Sequence, residues 1–174
     1  IVEEAGLPAG VFNLVTGSGS RVGEALVSHA GTDVVSFTGS TETGARIVRA
    51  AADGIKRCTL ELGGKSPLVL LPGAPIEEAI GSGMASCFRN NGQTCTALTR
   101  FLVPRADMGR AAELAGAFAE ASVLGDPLDP RTTMGPMVSA GQWQSVQGFI
   151  QAGIDEGAVL ITGGLGHPES LEGG

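Results

Sequence analysis

The sequence has no tyrosine, one tryptophan and only 4% aromatic residues, so any core must be built from Val, Leu, Ile and Ala. Basic residues are few. Eleven Lys and Arg face eighteen Asp and Glu, giving a net charge of −7, and the cations do not cluster. That excludes a surface built to track nucleic-acid phosphates. Any nucleotide would have to be held by backbone N–H groups rather than by cationic side chains. Only two His (29 and 167) and three Cys (58, 87 and 95) are present, without CxxC spacing, which argues against a structural zinc site. No apolar run approaches the ~18 residues of a membrane helix. An odd cysteine count with no signal-like start points to a reducing compartment, the cytoplasm.

What is abundant is glycine, 28 of 174 residues, within a composition that is 43% hydrophobic and 17% charged. This describes a folded chain rich in tight turns. Its length suffices for a hydrophobic core. The chain begins at Ile1 without Met and closes on Gly173-Gly174, so both ends read as cuts through a longer polypeptide.

Apolar runs alternate with amphipathic stretches, the pattern of an α/β fold. Strands are expected at residues 11–15, 34–38, 57–62, 66–71, 99–103 and 159–162. Helices are expected at residues 21–29, 41–52, 76–90, 107–121 and 140–156. Ser40 or Thr41 is the expected N-cap of the second helix, and Asp107 that of the fourth. Residues 125–139 carry three prolines and read as a long ordered loop. The layout changes at residues 62–64, which sets a boundary between residues 1–62 and 63–174.

Four short words, glycine-rich or bearing a carboxylate or thiol, carry chemistry. Gly17-Ser18-Gly19, with Gly23 four residues on, joins a strand to a helix, one position away from GxGxxG spacing. On its own it is equally a tight turn. Gly39-Ser40-Thr41-Glu42-Thr43-Gly44 follows a strand and opens a helix. There the helix N-terminus offers oriented N–H groups and partial positive charge to a pyrophosphate. Glu61-Leu62-Gly63-Gly64-Lys65-Ser66-Pro67 and Gly92-Gln93-Thr94-Cys95 supply a carboxylate and a thiol, 34 residues apart. These are the parts of covalent catalysis with base-assisted hydrolysis.

Cys58 lies inside a strand and Cys87 inside a helix, as small buried filler. Lys65 reads as an exposed turn lysine, and Lys56 and Arg57 as solvated charges. Asn90 and Asn91 read as helix-stop residues, and Trp143 as packing.

Together these words resemble the aldehyde dehydrogenase superfamily over nearly the whole chain. The resemblance implies a Rossmann-like cofactor-domain half in residues 1–62, followed by the first part of an α/β catalytic domain in residues 63–174. It implies Cys95 as nucleophile and Glu61 as general base, with NAD or NADP as cofactor. Gly17, Phe37, Thr38, Gly39, Ser40, Gly44, Leu62 and Gly63 are then the cofactor-binding residues. Of these, Ser40 and the turn after it would meet the diphosphate, and Phe37, Thr38 and Gly39 the nicotinamide side.

The implied partner is a small aldehyde, with no nucleic acid and no membrane, in a parent protein that is a homo-oligomer. The family's oxyanion-hole Asn and its ribose-gripping residues would fall outside residues 1–174, so the isolated chain is expected to be inactive. Two other readings are open. A cofactor-free Cys acyl-transfer enzyme or hydrolase would need a His base, and neither His29 nor His167 stands in a suggestive word. A non-catalytic chain retaining only the fold would not need Glu61 and Cys95. An acylating member, passing its thioester to coenzyme A, usually lacks the base, so Glu61 favours hydrolysis.

Overall fold

The computed structural model describes residues 1–168. Residues 169–174, the tail of the second expected domain, lie outside them. The fold is α/β with parallel strands, divided into two compact units, 1–63 and 64–174. Each unit is organised around one strand–helix–strand element.

In the first unit a π-helical turn, Gly19–Gly23, runs into the short helix α1, Glu24–Ser28. Strand β1 is Val34–Gly39, helix α2 is Thr41–Ala52, and strand β2 is Arg57–Leu62. β1 and β2 are parallel neighbours, with Thr38 beside Glu61 and Gly39 beside Leu62. A parallel pair needs a crossover, and α2 supplies it. The helix starts where expected because Ser40 caps it: the Ser40 hydroxyl accepts from the Thr43 N–H at 3.2 Å. Val27, Ile47 and Ala51 are buried. Gly44 brings the helix close to the sheet, since a Cβ there would meet Leu62 Cδ2 at 2.8 Å.

In the second unit β3 is Ser66–Val69, α3 is Ile76–Phe88 and β4 is Leu98–Leu102. β3 and β4 are again parallel, with a register shift between Ser66 and Pro67. Pro67 has no N–H to give to a ladder, which fits the irregularity there. Helices α4, Met108–Glu120, and α5, Ala140–Asp155, follow. Leu70, Ile80, Met84 and Ala111 form the buried centre, with Ile80 fully enclosed. Phe88 and Phe118 meet edge to face at 5.7 Å.

Gly83 lets α3 rest on its strands: a Cβ would lie 2.6 Å from Leu68 Cδ2 and 2.7 Å from Phe101 Cζ. Gly83→Val should therefore overpack this contact by about 1–3 kcal/mol. The higher helix propensity of Val returns only a few tenths of that. Thermal melts should show a clear drop, and an unchanged melting temperature would contradict the packing described.

Several expectations are corrected. Residues 11–15 and 159–162 are not strands; both runs lack a ladder, and Val11, Leu14, Val15 and Val159 are exposed. An apolar run becomes a strand only where a partner backbone completes its hydrogen bonds. Asp107 precedes α4, but its side chain makes no capping bond. A short 3-10 turn, Arg105–Asp107, occupies that place instead. Lys56 is not merely solvated. Its Nζ donates to the carbonyls of Val27 at 2.6 Å and His29 at 2.8 Å, satisfying the open C-terminal end of α1. Trp143, by contrast, packs as expected: it stacks on His167, 4.5 Å between ring centres.

Candidate active site

The first unit carries Glu61 and the glycine-rich turns. Strand alternation sorts these residues onto two faces. Phe37, Leu60 and Leu62 are half-buried and Leu62 contacts α2, whereas Thr38, Thr59 and Glu61 are exposed. Thr38 and Glu61 are register neighbours, so hydroxyl and carboxylate stand side by side on the open face. Phe37 and Gly39 lie on the other face. A Cβ on Gly39 would sit 2.4 Å from Phe37 Cζ, so the aromatic ring folds over the glycine. The three consecutive residues 37, 38 and 39 thus do not share one surface. The Gly63 N–H donates to the Gly39 carbonyl at 3.2 Å and continues the pairing beyond β2.

Ser40 is more committed than its sequence position suggests. Its hydroxyl caps α2 and also lies 2.9 Å from Thr43 Oγ1, to which it donates. The Gly44 N–H is bonded to the Ser40 carbonyl. The N–H groups of Thr41 and Glu42, at the start of the helix, are the ones that helix geometry leaves open for an anion.

Gly17 precedes the π-helical turn, and a Cβ there would lie 2.4 Å from Val22 Cγ2. That turn, α1, β1 and α2 enclose a cavity of about 380 Å³. Leu26, Val35, Phe37 and Ile47 give it apolar walls, and Ser20 and Thr43 add hydroxyls. Glu24 and Arg46, also in its lining, pair at 2.6 Å. Both are about half exposed, so the pair is worth at most about 1 kcal/mol. Sequence reasoning missed this cavity. The helical spacing of Ile47 and Ala51 indicates a buried face of α2 but not a gap beside it.

The second unit carries Cys95. Helix α3 ends at Phe88 and a 3-10 turn, Arg89–Gly92, follows. Asn90, Asn91 and Gly92 have positive φ of 52°, 56° and 73°. This left-handed run reverses the chain. It is stitched by the Gln93 N–H to the Asn90 carbonyl at 3.0 Å and by the Thr94 hydroxyl to the Arg89 carbonyl at 3.2 Å. Beyond it Cys95 is exposed, while Ala97, two residues on, is buried. The Gly64 backbone approaches the same segment: a Cβ there would be 3.6 Å from the Cys95 carbonyl oxygen.

The other thiols differ. Cys58 and Cys87 are half-buried. Burial pushes the Cys87 thiol up from its ordinary pKa, and the Lys65 charge offsets this only in part. Among the described residues no cluster of His, Cys, Asp and Glu could hold a metal. No helix among them is long and apolar enough to cross a membrane.

The family model described as the aldehyde dehydrogenase family matches residues 1–174. A 3-succinoylsemialdehyde-pyridine dehydrogenase from a Pseudomonas species is 46% identical over 174 residues, all of this chain and 36% of that protein. Among solved structures, aldehyde dehydrogenase C of Pseudomonas syringae is 47% identical. It matches with a TM-score of 0.93 over 97% of this chain and 35% of its own. It was crystallised as a cysteine-to-alanine mutant with NAD+ and octanal. An aldehyde dehydrogenase of Bacillus cereus, solved with NAD+, is 42% identical, with a TM-score of 0.91 over 96% of this chain and 34% of its own. The chain thus spans about a third of the length of the relatives it matches.

Proposed function

Since the chain belongs to the aldehyde dehydrogenase family, we propose that it contributes the nucleophile and general base of an enzyme oxidising an aldehyde to a carboxylic acid with NAD or NADP. The observation that carries this reading is the contrast among the thiols: only Cys95 is exposed, just past the turn that reverses the chain.

The first unit fits such a cofactor. Its cavity has the volume and apolar walls of a small-ligand site and would take a flat base such as adenine. The open N–H groups of Thr41 and Glu42 would face the diphosphate. Gly17 shapes the turn before α1, and Gly44 and Leu62 seat α2 on its sheet. Phe37 lines the cavity, and Gly39 leaves room for its ring. Thr38 and Gly63 flank the open face beside Glu61. Residues 1–62 would then belong to the cofactor-binding domain and residues 63–174 to the catalytic domain.

The bound cofactor supplies a hydride acceptor; the protein side chains do the rest. The Cys95 thiolate attacks the aldehyde carbon, forming a C–S bond and leaving negative charge on the former carbonyl oxygen. Backbone N–H donors, that of Cys95 included, stabilise this oxyanion. Loss of hydride from that carbon leaves a thioester on Cys95. Glu61 then takes a proton from water as the water oxygen bonds to the thioester carbon. The C–S bond breaks, thiolate leaves, and the carboxylic acid departs.

Alkylation tests the assignment of the nucleophile. Trypsin places the three thiols on separate peptides, residues 58–65, 66–89 and 90–100, so iodoacetamide labelling of folded protein can be apportioned directly. The 90–100 peptide should label first at neutral pH. Labelling of Cys87 should rise only at higher pH than for an ordinary thiol, because its raised pKa delays thiolate formation. Faster labelling of Cys58 or Cys87 would count against Cys95.

A further inference from the structure

We propose that Asn91 is a positioning residue for the Cys95 thiol, acting through its side-chain amide. The proposal rests on the reading of Cys95 as nucleophile. Asn91 stands four residues before it, in the middle of the left-handed run. Its Oδ1 accepts from the Gly135 N–H at 3.0 Å, and its Nδ2 donates to the Pro136 carbonyl at 3.3 Å. One amide thus spans two adjacent backbone groups more than forty residues away. Its orientation is fixed, because turning the amide over would set N–H against N–H and oxygen against oxygen.

The loop that Asn91 grips is itself tied together. The Gly125 N–H donates to the Met134 carbonyl at 3.1 Å, and the N–H groups of Thr133 and Met134 reach the Val123 carbonyl at 2.8 and 3.0 Å. Asp126 and Asp129 accept from the N–H groups of Leu128 and Arg131 at 2.8 and 2.9 Å. Asn91 therefore joins the nucleophile's turn to a braced loop rather than to a loose one. The other bonds named for this turn are local, between residues at most five apart. A helix stop needs a single left-handed residue, which glycine provides more readily than asparagine. What asparagine adds at position 91 is the amide.

Two variants of the full-length protein separate the amide from the backbone. Asn91→Gly keeps the left-handed conformation and removes both long-range bonds. Asn91→Ala removes the bonds and also disfavours the conformation. If the amide positions the thiol, both variants should slow the burst of reduced cofactor about 10–100-fold per active site, with KM for the aldehyde little changed; small displacements of a reacting group cost this much. Hydrogen exchange at Gly135 should also lose protection in both. If backbone strain were all that mattered, Asn91→Gly would match or exceed the unmodified protein and only Asn91→Ala would be slow. A wild-type burst rate in Asn91→Gly, or a loss only in proportion to unfolded protein, overturns the proposal. A burst that persists in Cys95→Ala would instead overturn the assignment of the nucleophile, so the two failures are distinct.

Discussion

Replacing Glu61 with Gln in the full-length protein should leave one burst of reduced cofactor per active site, followed by very slow turnover. The substitution keeps the shape of the side chain and removes its capacity to take a proton. Carbon–sulfur bond formation and hydride loss do not need that capacity; attack by water does. A positioned base contributes ~10²–10⁴-fold, and steady-state turnover should fall by that amount. The fold should not suffer, because Glu61 is on the exposed face of β2 and such surface changes lie within about 0.5 kcal/mol. Hydroxylamine, a stronger nucleophile than water, should restore part of the turnover. Loss of the burst itself would move Glu61 to an earlier step, the activation of Cys95. Unchanged steady turnover would remove it from the mechanism.

Cys95→Ser should abolish burst and turnover together. A serine hydroxyl with no dedicated base beside it is a weak nucleophile, and without the first C–S bond no later step can occur. Removing a lone covalent nucleophile costs as much as ~10⁶-fold elsewhere. The exposure of Cys95 separates this loss from misfolding: the substitution creates no cavity, so melting temperature and cofactor binding should be retained. A variant that melts normally and still gives a burst would show that the covalent step lies elsewhere. Rapid-mixing absorbance at the reduced-cofactor wavelength, beside thermal melts, makes the comparison.

Local signals read well in this chain because they are local. The Ser40 cap and the apolar spacing of α2 gave the bounds Thr41–Ala52, and alternation in Arg57–Leu62 gave a whole strand. The words that hold Glu61 and Cys95 can be found without coordinates. Contacts between distant residues were not legible. Lys56 closing the end of α1, Arg46 pairing with Glu24 and Asn91 gripping residues 135 and 136 all depend on tertiary placement. The same limit explains residues 11–15 and 159–162. Their apolar pattern is that of strands, yet a pattern carries no information about whether a neighbouring backbone is present. The face that Phe37 takes was not legible either: strand alternation turns it to the side opposite Thr38 and Glu61, where it lines the cavity.

The central claim is that substrate carbon becomes bonded to Cys95 and is released by Glu61. Full-length protein bearing Glu61→Gln, mixed with an aldehyde and oxidised cofactor, quenched in acid and digested with trypsin, gives the most direct test by mass spectrometry. The account predicts one acyl group on the 90–100 peptide, which contains Cys95 and no other thiol. An acyl group on peptide 58–65 or 66–89, or on no peptide while reduced cofactor still forms, would contradict it.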